Sequence, residues 1–266
     1  MDILLPVVIL TSLATVFAVV IVFVNKKLAV QDDPKVEEIL SLLPSANCGV
    51  CGKAGCADLA RSLVEGKAKI EDCPSCSAQS KAKIAKILGG DIAKFEDTLV
   101  ICACCGGNAC DDKYEYQGYG DCASIELIAG GRKACSNGCI GQGKCNRLCP
   151  YDAIQIIDGV AYIDNTEDSK CRQCGICITN CPKKIMKRIP AKAEIYIACS
   201  SCYKGKDVRS MCKKGCIACG LCAKICPQSA ITMKGNLPII DYDKCNACGD
   251  CLAKCPTKVI RWLKHD

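Results

Sequence analysis

The sequence predicts an α+β chain in which one membrane-spanning helix precedes three cysteine-rich parts. Three observations predict it: an uncharged run of 22 residues near the start, 29 cysteines among 266 residues, and a cysteine run that recurs four times. Cysteine makes up about 11% of the chain, several times its normal usage. Without the cysteines and the first run, apolar residues fall to roughly 36% of the remainder, below the ordinary 45–50%. A core that thin needs stability from groups attached to the cysteines, as disulfides and metals supply it in other core-poor folds. The single histidine, His265, rules out histidine-rich zinc or haem sites and reads as a solvated tail residue rather than a catalytic base. Three Phe and one Trp leave few platforms for stacking single-stranded nucleic acid.

The run ILLPVVILTSLATVFAVVIVFV extends from Ile3 to Val24. As a helix it spans roughly 33 Å, enough for the bilayer core. Pro6 lies in its first turn, where the missing N–H does no harm. Asn25, Lys26 and Lys27 follow at once and only Asp2 precedes, so the positive-inside rule places the lysines in the cytoplasm. A cleaved signal peptide would carry a basic start, a shorter apolar run and a small-residue cleavage site, and none is present. Residues 1–27 are therefore expected to form a single-pass anchor in the cell membrane, with the cysteine-rich part on the cytoplasmic side. Cytosolic thiols stay reduced, so dense C-x2-C spacing points to metal rather than disulfides.

Three segments match C-x2-C-x2-C-x3-C-P without a gap. They carry Cys171, Cys174, Cys177 and Cys181, then Cys216, Cys219, Cys222 and Cys226, then Cys245, Cys248, Cys251 and Cys255. A fourth, CIGQGKCNRLCP, has Cys139, Cys145 and Cys149, with Gln142 where the second cysteine belongs. This is the run of two-cluster bacterial ferredoxins, whose fourth cysteine ligates the other cluster. Zinc sites normally use two separated C-x2-C pairs around one ion instead. The segments AIQIIDGVAYID and AITMKGNLPIID read as hairpins between paired runs. Crossed ligation then groups Cys149 with Cys171, Cys174 and Cys177. It groups Cys255 with Cys216, Cys219 and Cys222, and Cys226 with Cys245, Cys248 and Cys251. The degenerate site keeps Cys139, Cys145 and Cys181 and needs a fourth ligand, or else holds a three-iron cluster.

The two pairs of runs are themselves a repeat. RKACSNGCIGQGKCNRLCP aligns with RSMCKKGCIACGLCAKICP, which pairs Cys135 with Cys212. VICACC set against IACSSC pairs Cys102 with Cys199 and Cys105 with Cys202. The first copy carries a longer loop, and Cys102, Cys104, Cys105, Cys110, Cys122 and Cys135 suffice for one further cluster and for completing the degenerate site. Cys199, Cys202 and Cys212 are either ligands or buried thiols.

Upstream, Cys48, Cys51, Cys56 and Cys73 follow a different spacing, with glycines 49, 52 and 55 letting backbone approach a cluster. After Cys56, residues 57–66 read as a helix with Leu59, Leu63 and Val64 on one side, and 77–88 as another. The first helix turns its N–H groups toward the cluster. The expected organisation is an anchor (1–27), a small helical 4Fe–4S domain (28–95), a ferredoxin-like unit with a cysteine-rich insertion (96–190) and a second ferredoxin-like unit (191–266). Five [4Fe–4S] clusters at least, and a sixth with the insertion, are expected. Each carries about −2, so five turn the formal +7 of the chain into about −3. Lys144, Lys170, Lys183, Lys184, Lys187, Lys213, Lys214 and Lys254 offset cluster charge or steer an acidic protein donor. They are interleaved with cluster loops rather than gathered on one helix, which excludes nucleic acid as the partner.

An anchor, the Cys48–Cys73 site and paired ferredoxin runs together resemble the B subunits of the Rnf complexes, ion-translocating ferredoxin:NAD oxidoreductases. The resemblance covers nearly the whole chain. The stretch with Cys102, Cys110, Cys122 and Cys135 looks like the extended form found in clostridia and acetogens, from which Cys104, Cys105 and Cys202 depart as extras. The resemblance implies that electrons enter from soluble ferredoxin and pass to membrane and flavin-bearing subunits coupled to Na+ or H+ movement. The chain itself shows no G-x-G-x-x-G fingerprint and no intramembrane ionisable residue, so it is expected to hold no NAD or flavin site and no ion path. The Cys48–Cys73 motif is also similar to the cluster domain of the corrinoid iron–sulfur protein, but nothing here reads as the cobamide-binding barrel that enzyme needs. A membrane-anchored polyferredoxin without ion pumping is the other reading.

Overall fold

A computed structural model describes residues 4–28, 33–90, 95–166 and 168–263. His265 lies outside these residues, and the expected boundaries near 28 and 95 border stretches outside them. Helix α1 (Leu4–Leu28) runs past the apolar run through Asn25 and both lysines. Its segment Val7–Val24 is long and apolar enough to cross a bilayer, and none of it is buried against the rest of the protein.

Three helices form a small core: α2 (Pro34–Leu42), α3 (Cys56–Val64) and α4 (Ala78–Ile87). The Asp33 carboxylate accepts the Lys35 N–H at 2.9 Å and Pro34 fills the first turn of α2. Ser77 caps α4 by accepting the Ser80 N–H at 3.1 Å. Leu59, Ala60 and Leu63 of α3 pack on Val36 and Ile39 of α2 and Ile84 of α4. Cys56, Cys73 and Cys76 belong to this same core.

Eight strands pair as four two-stranded antiparallel sheets among the described residues. β1 (Thr98–Cys102) pairs with β4 (Met186–Pro190), enclosing the hairpin β2 (Ile154–Ile157) and β3 (Val160–Ile163). β5 (Ile195–Ile197) pairs with β8 (Ile260–Trp262), enclosing β6 (Ile231–Lys234) and β7 (Leu237–Ile240). The pattern therefore occurs twice, and Ile154↔Ile163 in the first repeat matches Ile231↔Ile240 in the second. Both hairpins turn on two residues. Asp158 and Gly159 are both left-handed (φ 49 and 74), as a type I′ turn requires, and Gly235 (φ 62) opens the other turn.

The strands also fix how the repeats align. The Ala103 N–H donates to the Ile185 carbonyl at 2.8 Å, and the Ala198 N–H donates to the Val259 carbonyl at 2.8 Å. Ala103 thus corresponds to Ala198. It follows that Cys104, not Cys102, corresponds to Cys199, and Cys105 corresponds to Ser200 rather than Cys202. Matching cysteine to cysteine misplaces the register by two residues, because strand pairing and not thiol identity sets it.

Candidate metal centres

The four cysteine runs adopt one backbone conformation. Gln173, Ala218 and Ala247, each just before the second cysteine of an intact run, are left-handed with φ near 54, and Gly141 takes the same place in the degenerate run at φ 82. Gly143, Gly175, Gly220 and Gly249 then reverse the chain into single-turn helices: α6 (Lys144–Arg147), α7 (Ile176–Asn180), α9 (Leu221–Ile225) and α10 (Asp250–Lys254). Between α7 and α9, α8 (Gly205–Met211) leads into Cys212. Past the last cysteine of each run comes another left-handed residue: Asp152, Lys184, Ser229 or Lys258. A loop folded this way turns backbone N–H groups inward. The Ala153 N–H donates to Cys149 Sγ at 3.4 Å and the Ala230 N–H to Cys226 Sγ at 3.3 Å.

A side chain at Gly141 would place Cβ 2.5 Å from the Gly159 carbonyl oxygen of the β2–β3 turn. Gly141→Ala is therefore expected to cost about 2 kcal/mol through overpacking. At the matching position Ala218→Gly is expected to change stability by less than about 1 kcal/mol. Thermal midpoints of the two variants check the contrast, and an unshifted Gly141→Ala midpoint would contradict the close packing.

The loops gather thiols in fours. One cavity of about 20 Å³ is lined by Cys216, Cys219, Cys222 and Cys255. Cys149 stands near Cys171, Cys174 and Cys177 alike, while Cys145 also comes near Cys177. Cys245 and Cys248 face Cys251, and Cys226 packs in the core that holds Cys245 and Cys251 together with Cys216, Cys222 and Cys255. A second cavity of about 20 Å³ is lined by Cys139, Cys145, Cys181 and Cys122. Cys122 comes from the insertion, as the first residue of α5 (Cys122–Leu127). Its sulfur accepts backbone N–H groups of Gln142 and Lys144, so it sits where the missing second cysteine of the run would sit. Asp121 holds it there. The Asp121 carboxylate caps α5 by accepting the Ala123 N–H at 3.0 Å and accepts from Arg147 at 3.2 Å, while Arg147 also donates to the Gln142 carbonyl at 2.7 Å. Lys183, 4% exposed, ties α5 to the end of the Cys171–Cys181 run through Glu126 at 2.6 Å. Lys183 and Lys144, which lies 3.9 Å from Asp121, are thus engaged internally rather than turned to a partner.

In the helical part Cys56 and Cys73 are buried and Cys48 and Cys51 half-buried. The Asn47 side chain accepts the Cys56 N–H at 2.8 Å, which caps α3 from outside the helix. A Cβ on Gly55 would meet that same oxygen at 2.9 Å. The hydrogen bond from Cys76 draws the Cys73 thiol down to about 6. This part docks on the first repeat. The Ala78 N–H donates to the Asp97 carboxylate at 2.7 Å, and Cys76 and Cys171 line one groove. Tyr151 stands at the junction near Cys174, Cys48 and Cys56, and Cys174 itself comes near Cys48.

The remaining candidates are distributed around the inner face of the first repeat. Cys102 is buried against Cys139, whose hydrogen bond pushes the Cys102 thiol up. Cys105 donates to the Lys214 carbonyl at 3.2 Å. Cys110 and Cys135 lie where the insertion meets the second repeat. Cys202 is exposed.

The donor set suits iron–sulfur clusters. Burial raises the thiols of Cys145 and Cys177 to about 12, and those of Cys216 and Cys251 to about 11. Thiolates there need a bound cation to offset burial and displace the protons. Arg188 stands beside Cys171, Cys174 and Cys177 and donates to the Gln173 carbonyl at 2.7 Å. Among the described residues, no three His, Cys, Asp or Glu side chains close on a single-ion point. Thiolates on separate corners of a four-iron core stand further apart than thiolates on one ion.

Repeated thiol-lined loops on paired hairpins define a multi-site iron–sulfur protein. An Fe–S cluster family model matches residues 43–75 and a 4Fe–4S dicluster domain model matches residues 215–259. The chain is 40% identical to the B subunit of the Na(+)-translocating ferredoxin:NAD(+) oxidoreductase complex of Acetobacterium woodii, over 91% of this chain and 73% of that protein. It is 35% identical to the B subunit of the ion-translocating oxidoreductase complex of Methanosarcina acetivorans, over 95% of each. It is also 35% identical to the B subunit of the proton-translocating ferredoxin:NAD(+) oxidoreductase complex of Clostridium ljungdahlii, over 90% of this chain and 84% of that one. The chain belongs to the family of B subunits of these ion-translocating oxidoreductase complexes, the Rnf complexes.

Proposed function

We propose that this chain is the iron–sulfur electron-transfer subunit of an Rnf complex. It takes electrons from reduced soluble ferredoxin at its second repeat and delivers them from the Cys48–Cys73 site to the membrane and flavin-bearing subunits. The observation that carries this reading is the succession of thiol-lined sites that reaches the helical part where Cys174 comes near Cys48, with Tyr151 close to both. Five sites have full ligand sets: Cys48, Cys51, Cys56 and Cys73; Cys149, Cys171, Cys174 and Cys177; Cys122, Cys139, Cys145 and Cys181; Cys216, Cys219, Cys222 and Cys255; and Cys226, Cys245, Cys248 and Cys251. Each [4Fe–4S] cluster supplies one-electron redox chemistry when bound. The chain's own part is to set the order of sites, exclude water and hold thiolates among backbone N–H donors. The two repeats are two-cluster ferredoxin units, and α1 anchors the rest at the cytoplasmic face.

Solvent exposure supports the direction. Cys219 and Cys248 of the second repeat are exposed, whereas every cysteine of the first repeat's runs is at least half-buried. Beside Cys219 the apolar Leu221 and Ile225 are 46% and 37% exposed, and Lys224 and Lys254 flank them in the open. An acidic donor protein meets there a small apolar patch with a basic rim. Lys224→Glu combined with Lys254→Glu is expected to raise the KM for ferredoxin several-fold at low salt, with kcat unchanged and the difference fading as ionic strength rises. Initial rates of ferredoxin oxidation by the purified complex test this, and a KM insensitive to both changes would place the entry point elsewhere.

A further inference from the structure

A third thiol-lined cavity of about 20 Å³ lies between the two repeats, equal in size to the two that hold complete four-cysteine sets. Its wall carries Cys104, Cys105, Cys110, Cys135 and Cys139 from the first repeat and Cys199 and Cys212 from the second. We infer that Cys104, Cys135, Cys199 and Cys212 together hold one further [4Fe–4S] cluster, shared by the two repeats. The inference rests on the iron–sulfur reading and adds a site to it.

The first argument is symmetry. Cys104 and Cys199 are equivalent by strand pairing, and each accepts the backbone N–H of the first cysteine of its own run, from Cys139 at 3.3 Å and from Cys216 at 3.4 Å. Cys135 and Cys212 are equivalent too, each four residues before that same cysteine, with Gly138 and Gly215 packed on their side chains. Each repeat thus offers the same two thiols to the space between them. All four sulfurs have backbone donors: Gly106 and Gly107 for Cys104, Asn137 for Cys135, Ser201 for Cys199 and Lys214 for Cys212. Such donors stabilise thiolate sulfur in cluster loops.

Four of these seven thiols form the set. Cys139 belongs to the degenerate-run site, and the Cys105 thiol donates to the Lys214 carbonyl at 3.2 Å. Cys73 touches Cys76, Cys139 touches Cys102, and Cys212 touches Cys110, each pair joined by a thiol–thiol hydrogen bond. Two ligands of one cluster bind different irons and stand further apart than that. In the first two pairs one partner belongs to a complete set and the other is spare. By the same rule only one of Cys110 and Cys212 is a ligand, and the equivalence of Cys212 with Cys135 selects Cys212. The walls are already held together without a cluster. The Asp111 N–H donates to the Met211 carbonyl at 2.9 Å, the Lys213 N–H to the Ala109 carbonyl at 3.0 Å, and Ser200 Oγ to the Ala103 carbonyl at 3.0 Å. A side chain at Gly106 would put Cβ 3.1 Å from Cys212 Sγ, which keeps this wall bare. Buried Lys133, 4% exposed, donates to the Cys110 carbonyl at 3.1 Å and pairs with the Asp112 carboxylate at 3.1 Å, which fixes this side of the wall.

The test is iron and acid-labile sulfide counting on the anaerobically purified full chain, with Mössbauer spectra to identify cluster type. Cys135→Ala and Cys212→Ala are each expected to lose about four irons. The double variant is expected to lose no more than either single one, since both residues serve one cluster. Cys110→Ala and Cys202→Ala are expected to keep the full count. Cys199→Ser, which keeps a small polar side chain in place, gives a second reading of the same loss. Full counts in Cys135→Ala and Cys212→Ala would overturn the inference, as would losses that add in the double variant. A loss in Cys110→Ala equal to that in Cys135→Ala would overturn the ligand set. A wild-type chain without labile sulfide would instead sink the iron–sulfur reading itself.

Discussion

Cys122→Ala is expected to remove one iron–sulfur centre from a chain whose four recognisable runs are all left intact in sequence. The degenerate run offers Cys139, Cys145 and Cys181, and the structure adds the Cys122 sulfur beside the backbone N–H groups of Gln142 and Lys144. Without it the site has three thiolates. The iron count should then fall by one if a three-iron cluster forms and by about four if the site empties. The informative partner is Gln142→Cys. Gly141 and Gly143 already hold the loop in the conformation of the intact runs, so a cysteine at 142 restores their ligand spacing. The double variant Cys122→Ala with Gln142→Cys should regain a four-iron cluster and the wild-type thermal midpoint. An undiminished count in Cys122→Ala, or failure of Gln142→Cys to restore it, would show that the fourth ligand lies elsewhere. Because a bound cluster contributes directly to folding in a core-poor chain, the single variant should also melt earlier.

Cys51→Ala has the second large effect, and it is selective. Cys51 lies in the small helical core at the far end of the succession from the exposed Cys219 and Cys248. Its loss should abolish ferredoxin-driven NAD reduction by the assembled complex, while reduction of the remaining centres by ferredoxin, followed by visible bleaching, continues at the wild-type rate. If both processes survive, the Cys48–Cys73 site is not the exit. If both are lost while the other centres remain loaded, it is the entrance.

Much of this architecture was legible because cluster loops are written in spacing. Three intact runs and two glycine-centred hairpins locate the loops, and the structure gathers Cys255 with Cys216, Cys219 and Cys222 in one cavity, the grouping expected from crossed ligation. Helices α3 and α4 fall within two residues of their expected limits, since apolar spacing and Ser77 mark them. Helix α2 escaped notice although Asp33 and Pro34 announce its start. The position of Cys122 could not be read, because it depends on a loop folding back 20 residues in sequence onto Gln142 through Asp121 and Arg147. The register of Cys104 with Cys199 was obscured for a different reason. Adjacent cysteines in VICACC offer several equally good matches by letter, and only the hydrogen bonds of Ala103 and Ala198 choose among them. Partner-facing lysines were overcounted, since ion pairing of Lys183 with Glu126 inside the fold leaves no trace in sequence.

Passage of ferredoxin electrons through this chain within an ion-translocating complex is tested by anaerobic affinity purification from mild-detergent membranes, with every co-purifying protein identified and ferredoxin:NAD activity assayed. Polytopic membrane subunits and flavoproteins should come down with the chain, and the assembly should reduce NAD with reduced ferredoxin. A chain recovered alone with iron and sulfide, or an assembly inactive with ferredoxin and NAD, would contradict the account and leave an anchored electron carrier with no coupled pump.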